Sequence, residues 1–182
     1  NVSQTENVND AAHKMIAAND WASIRAAHSA FRHRAVKTPD GFRAVNSSQN
    51  WGLEFDGRDF LVQPDNGDWS WGLQLLSLGF EECHQVIEGR SIASARGNLV
   101  NYRWGAAVDE WFINDSRGLE HGYTLESRPL EGAGLDAPLV IELAVRGTLQ
   151  AEILSDRKGV RFVNDKGQGV LTYAGLRVFD NR

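Results

Sequence analysis

Residues 104–125 contain two runs that are predicted to be extended strands, in which successive side chains point to opposite faces with a period of two. Within 108–113, even-numbered residues such as Glu110 and odd-numbered residues fall on opposite faces. A second alternating run covers 119–125, and the polar residues 114–118 separate the two runs. This stretch therefore predicts two antiparallel strands joined by a structured loop of about five residues.

The polar loop of this hairpin is predicted to stabilise the scaffold, with an exposed recognition loop as the alternative. Asn114 and Asp115 can accept hydrogen bonds from buried amides, and Arg117 can pair with Glu120 or Glu110. Replacing Asn114 or Arg117 by alanine is expected to cost about 1–3 kcal/mol, because buried polar groups would lose their partners.

From Phe42 onward, short alternating or apolar runs are separated by turns rich in Gly, Asn and Asp. Their spacing of about 8–12 residues is typical of an antiparallel β-sandwich or of barrel-like sheets. The clearest run covers 139–145, where Leu139, Ile141, Leu143 and Val145 are predicted to be buried together. The sequence therefore predicts a mostly-β fold built from antiparallel sheets.

The N-terminal part of the chain has a different period. Residues 9–36 carry apolar side chains at helical spacing, and a Pro-Asp-Gly turn at 39–41 follows them. We expect Trp21 to anchor this helical segment to the sheet. The predicted organisation is an N-terminal tail and helical segment over 1–39 and an antiparallel β domain over 40–182.

Composition excludes several classes of function. The net charge of −5 and the pI near 5.5 argue against a nucleic-acid or anionic-membrane surface. No apolar run approaches the ~18 residues that a membrane span requires. The single cysteine, Cys83, is expected to be a buried or half-buried free thiol. Because the chain starts at Asn1 rather than Met, we expect it to be processed or excised from a longer protein.

Several segments in a fixed order resemble those of a known family. They are 69–73, 101–105, 110–114, 117–123, 139–143, 160–162 and 171–180. The chain resembles the N-terminal β-rich domain of large secreted bacterial proteins that carry FG-GAP or SBBP-type β-propeller repeats. The resemblance covers 42–180, and its most specific elements are the GLEHGY motif at 118–123 and the LTYAGL motif at 171–176.

The resemblance implies a non-enzymatic structural or partner-binding module of a secreted or cell-surface protein. Its partners would be the downstream repeat domains of the parent chain or another surface molecule. The alternative is a carbohydrate-binding module, because exposed indole rings stack on sugars and Asp or Asn side chains bind hydroxyl groups. Core packing is the competing interpretation for the tryptophans. The candidate binding residues are Trp51, Trp69, Trp71, Asp109, Glu110, Asn114 and Arg117.

A weaker alternative is a glycosidase-like enzyme that uses Asp109, Glu110 and Glu120. This chemistry needs two carboxyl groups about 5–9.5 Å apart across a sugar, and sequence spacing does not supply that geometry. We therefore predict no catalytic residues and no cofactor.

A metal site is not predicted either. The five histidines are scattered, and His121 is expected to be a polar partner of the nearby turn. Acidic turns at 56–59, 65–68 and 164–167 could attract calcium, but none has the ligand spacing of an EF-hand loop, and ordinary turn chemistry explains all three.

Overall fold

The computed structural model describes residues 20–179, except 22, 26, 29, 81–82 and 128–136. Antiparallel strands dominate these residues, which confirms the predicted mostly-β, sandwich-like fold, and the described strands form no closed barrel. A helix, α1, covers 20–32. The strands are β1 (Val36–Thr38), β2 (Gly41–Asn46), β3 (Trp51–Phe55), β4 (Phe60–Pro64), β5 (Trp71–Phe80), β6 (Cys83–Val86), β7 (Ile92–Arg96), β8 (Leu99–Trp104), β9 (Val108–Asp115), β10 (Gly118–Leu125), β11 (Leu139–Gly147), β12 (Gln150–Ile153), β13 (Gly159–Val163) and β14 (Gly169–Ala174).

The strands form three sheets. The first has seven strands in the order β1-β2-β3-β4-β5-β11, with β6 also paired to β5. The second has the order β10-β9-β8-β7, and the third has the order β12-β13-β14. Most neighbours in space are also neighbours in sequence, because short turns join antiparallel strands directly. The exception is β11, which returns from the second sheet to the edge of the first.

A cluster of aromatic rings joins the three sheets. Phe112 of the second sheet lies against Phe55 and Phe60 of the first, with ring centroids 5.2 and 5.0 Å apart. Trp71 of the first sheet meets Phe162 of the third at 5.0 Å. Alternation along each strand points these rings inward, so the core is built from one face of each sheet.

The predicted helical segment is only partly borne out. Its part before residue 20 lies outside the described residues, the helix ends at residue 32, and its last residue, Val36, begins β1, where it pairs with Arg43. A β-branched residue next to a free strand edge favours pairing over another helical turn. The first sheet therefore begins before residue 40. The anchoring role of Trp21 is wrong, because 61% of this residue is exposed.

Strand β11 departs from the predicted burial. Ile141 and Leu143 pack against the core, but Leu139 and Val145 are exposed. The register shift beside Glu142 and Leu143 leaves out Leu76 of β5, so β11 itself keeps its alternation, and Leu139 and Val145 lie near the two ends of the strand, away from its half-buried middle. The prediction that all four apolar side chains are buried together is therefore wrong.

The central hairpin has the predicted strands and a shorter turn. Residues at even positions in β9 are buried and those at odd positions are half-buried, which confirms the predicted faces. Asp115 pairs directly with Gly118, so the connection is the two-residue turn Ser116–Arg117 rather than a loop of five. Cys83 is exposed at the start of β6, so its predicted burial is also wrong.

Candidate functional site

A buried carboxylate, Glu110, lies inside the aromatic core. Alternation along β9 points it inward beside Phe112, and only 2% of the residue is exposed. Its direct partner across the strand pair is Tyr123 of β10. An isolated carboxylate at this depth would be strongly destabilising unless it were fully hydrogen-bonded.

Three side chains from two strands satisfy this carboxylate, and with Tyr173, which contacts one of them, they form what we call the Glu110 cluster. Trp104 donates its indole N–H to Oε2 at 2.8 Å, and the Tyr123 hydroxyl donates to Oε1 at 3.0 Å. His121 Nε2 lies 2.9 Å from Oε1 and is the donor, since a carboxylate only accepts. The hydroxyl of Tyr173 lies 3.3 Å from His121 Nδ1.

The cluster couples the second sheet to the third. His121 stacks on Phe112 with ring centroids 4.7 Å apart, which fixes the orientation of the imidazole. Tyr173 comes from β14, so its contact with His121 crosses between sheets. His121 is thus a partner of Glu110 and Tyr173. The predicted pairing of His121 with the hairpin turn is wrong, because its strand position points it into the core.

Burial and the negative charge of Glu110 keep both tyrosines protonated. Burial raises the pKa of the Tyr123 phenol far above its usual range, and the negative charge of Glu110 raises it further. The same two causes raise the pKa of Tyr173. Both phenols therefore remain hydroxyl groups at neutral pH, and neither oxygen of Glu110 is left open to a substrate.

The cluster does not contain the carboxylate pair of a glycosidase. Asp109 lies on the opposite face of β9 from Glu110, where it pairs with Arg103 and accepts a hydrogen bond from Asn101. Glu120 is exposed and pairs with Arg117. Because the strand directs Asp109 and Glu110 to opposite faces, they cannot flank one sugar.

A second buried polar network holds the tip of the central hairpin. Asn46 of β2 donates to Asn114 Oδ1 at 2.8 Å and to the Asp115 carbonyl at 2.7 Å. Asn114 in turn donates to the carbonyls of His33 and Val45 at 3.0 and 3.1 Å. Asn114 therefore ties down buried backbone as a donor to carbonyls, and not as the predicted acceptor from backbone amides, and it joins the residue after α1, the first sheet and the second sheet at one point.

Arg117 does not have the predicted buried role. Its side chain is 77% exposed, and it pairs with Asp115 at 2.7 Å and with Glu120 at 3.5 Å. The hydrogen bonds from Arg117 lower the pKa of Asp115 below its usual range. A lowered carboxyl pKa stabilises the fold above the unfolded-state pKa and stops doing so as the pH falls through the folded value. In water this contribution is small.

The seven predicted binding residues are not brought together. Trp71, Glu110 and Asn114 are buried, so none of them can meet an external ligand in this fold. Trp51 and Trp69 are half-buried. Asp109 lies on the outer face of the second sheet, and Arg117 lies at the tip of the central hairpin.

Sequence reasoning missed Asn46, Trp104 and Tyr173. The sequence contained one indication of such partners. A carboxylate on the same strand face as buried apolar residues, such as Glu110, needs buried hydrogen-bond donors. The partners on β8 and β10 lie within one hairpin of Glu110, but Tyr173 and Asn46 come from distant segments and could not be identified from spacing.

No group of three or more His, Cys, Asp or Glu side chains converges as metal ligands within the described ranges. No described helix is long and apolar enough to cross a membrane. No family model, curated protein or solved structure matches the chain. Its function therefore has to be inferred from the residues themselves.

The Glu110 cluster predicts unequal effects for two similar substitutions. Trp104 and Trp71 are equally buried, but the indole N–H of Trp71 has no acceptor among the described residues. Trp104→Phe is expected to cost about 1–3 kcal/mol more than Trp71→Phe, because Glu110 Oε2 would lose its donor. Urea unfolding of both variants measures the difference, and equal losses would show that the indole bond to Glu110 contributes nothing.

The hairpin tip predicts a second contrast. Asn114→Ala is expected to cost about 1–3 kcal/mol, because two buried backbone carbonyls and the Asn46 amide each lose a partner. Arg117→Ala is expected to cost less than about 1 kcal/mol, because its ion pairs are exposed. Thermal and urea unfolding at neutral pH would check both values. A larger loss for Arg117→Ala would contradict the exposed role.

Proposed function

We propose that this chain is a non-enzymatic structural or partner-binding module of a secreted or cell-surface bacterial protein. The observation that carries the proposal is the free edge of β11. This nine-residue strand has β5 as its single described neighbour. Its exposed side chains include Leu139, Val140 and Val145, each more than 40% exposed.

A long apolar edge strand is unusual on a free domain. Unpaired N–H and C=O groups invite another strand, so natural proteins shield such edges with charges, bulges or covering segments. On β11 one charge is already in use, since Arg146 is held by Asp59 at 3.0 Å, and the register shift against β5 leaves out Leu76 of β5 and not a residue of β11. The apolar residues at both ends of the strand support contact with further protein, in the mode of β-strand addition.

The segment after β14 gives independent support. Residues 175–179 lie outside the described strands, and Leu176, Val178 and Phe179 are all at least 85% exposed. Three apolar side chains exposed to this degree within four residues favour burial against another folded unit. The predicted downstream repeat domains, or a surface partner, would provide that cover.

The internal chemistry supports the non-enzymatic part of the proposal. Glu110 and His121 are the buried ionisable side chains best arranged for catalysis, but their hydrogen bonds are made to one another and to neighbouring rings. A catalytic carboxylate needs an oxygen directed at a reacting atom in an accessible site. The Glu110 cluster instead supports the packing of the sheets.

The secreted or surface location of the protein can be tested by fractionating the source cells. An antibody against the domain is expected to find the protein in the medium or on the protease-accessible surface. A cytoplasmic enzyme measured in the same fractions controls for lysis. Detection in the cytoplasm alone would contradict the secreted or surface location.

Carbohydrate binding is a second candidate function, favoured by the surroundings of Trp51 and Trp69. Trp51 pairs with Pro64 across β3 and β4. Gly67 lies close to both Pro64 and the Trp69 ring, since a Cβ there would be 2.7 Å from Pro64 Cγ and 3.7 Å from Trp69 Cδ1. Two half-buried indoles therefore flank one turn, whose exposed carboxylates could bind sugar hydroxyls.

Affinity electrophoresis in gels containing soluble polysaccharides separates the two candidates. A glycan-binding domain would be retarded, and Trp69→Ala would abolish the retardation, because the stacking ring is lost. Trp21→Ala is the matched control, because Trp21 is exposed on α1 away from this turn. We expect no retardation and no release of reducing sugar. Retardation lost only in Trp69→Ala would favour the carbohydrate-binding function.

A further inference from the structure

Helix α1 presents large apolar side chains to solvent. Trp21, Ile24 and Phe31 are each more than 55% exposed. Their spacing puts them on one side of the helix, within about one quarter of its circumference. Soluble domains rarely leave a contiguous face of this kind uncovered unless it binds something.

A recess adjoins this face where α1 meets the outer surface of the first sheet. It has a volume of about 380 Å³, and Phe31, Val36 and Val45 form its apolar lining. These three residues are about half-exposed or more, and Ala44 lies beneath them in the core. The recess is large enough to receive one or two large side chains from another molecule.

The walls of the recess carry positive charge in a chain whose net charge is −5. Arg32, Arg34 and Arg43 line it, and no acidic residue does. Arg43 pairs with Glu54. Arg32 bonds to the Ser47 hydroxyl at 2.7 Å. The Arg34 guanidinium lies 4.0 Å from the centre of the Phe31 ring. Arg32 and Arg34 therefore have no carboxylate partner within the described ranges.

The recess also borders a free strand edge. β1 is the outermost strand of the first sheet and pairs only with β2 among the described strands. Val36 and Thr38 of β1 line the recess themselves. An extended peptide lying here could bond to the backbone of β1 and direct alternate side chains into the recess.

We propose that this recess, together with the apolar face of α1, binds an acidic segment of a partner protein that carries a large apolar side chain. The apolar side chain would lie between Phe31, Val36 and Val45. Neighbouring carboxylates would pair with Arg32 and Arg34, since a guanidinium binds a carboxylate in a planar, bidentate way.

This inference rests on the proposed function, to which it adds the chemistry and place of one partner. The surface is distinct from the β11 edge, because β1 and β11 are the two ends of the first sheet. A protein segment fits better than a lipid surface, because the recess borders the free edge of β1, and an extended peptide can bond to that backbone whereas a lipid cannot form a strand pair with it.

The probe for the test is a fluorescein-labelled peptide in which glutamate alternates with leucine. A matched peptide carries glutamine in place of glutamate. Binding to the full chain is followed by fluorescence anisotropy at low and physiological salt. We expect the acidic peptide to bind and the glutamine peptide to bind at least about tenfold more weakly, with the difference shrinking as salt is added.

Three variants locate the binding. Arg34→Glu and Phe31→Ala are each expected to weaken the binding of the acidic peptide at least about tenfold. Both residues are exposed, so circular dichroism is expected to show an intact fold. Lys166→Glu makes the same charge change in the turn between β13 and β14 and is expected to leave binding unchanged.

Equal binding of both peptides, or loss of binding in Lys166→Glu, would overturn the inference, and so would no binding at all. Binding to vesicles containing phosphatidylglycerol but not to the peptide would assign the surface to a membrane. A dimer in sedimentation experiments that Phe31→Ala dissociates would assign it to a second copy. None of these results decides the proposed function, which the fractionation experiment tests separately.

Discussion

The fold depends on a carboxylate held away from water. Glu110 lies in the aromatic core, and Trp104, His121 and Tyr123 bond to its two oxygens. Removing the Trp104 donor would leave Oε2 unpaired, which costs more than the bond itself contributes, whereas Oε1 has two donors. These three bonds hold β8, β9 and β10 of the second sheet together, and the contact of Tyr173 with His121 links them to the third sheet.

A similar arrangement fixes the other end of the central hairpin. The Asn46–Asn114 pair joins the tip of the hairpin to β2 and to the end of α1. Both networks use side chains at inward positions of β9, so one strand carries the polar contacts that align the layers. The strand that most resembled a site in the sequence is therefore the strand that organises the core.

The surfaces available to partners lie at the margins of the first sheet. Strand β11 ends it on one side with exposed apolar residues, and β1 ends it on the other beside α1 and its arginines. A rigid core with open sheet edges suits a module that works by contact with other protein. The two edges differ in chemistry, because the β1 side has an apolar recess beside Arg32 and Arg34, which have no carboxylate partner among the described residues.

The sequence by itself determined the antiparallel strands, because a period of two acts within each strand and needs no distant contact. It also determined which residues of β9 share a face, and the structure decided that the face of Glu110 and Phe112 is the inward one. Tertiary structure decided what those inward residues meet. Tyr173 reaches His121 from 52 positions away, and Asn46 reaches Asn114 from 68. It also decided which tryptophans are buried, since Trp71 lies between sheets while Trp21 remains exposed. Periodicity specifies a face but not the layer that covers it.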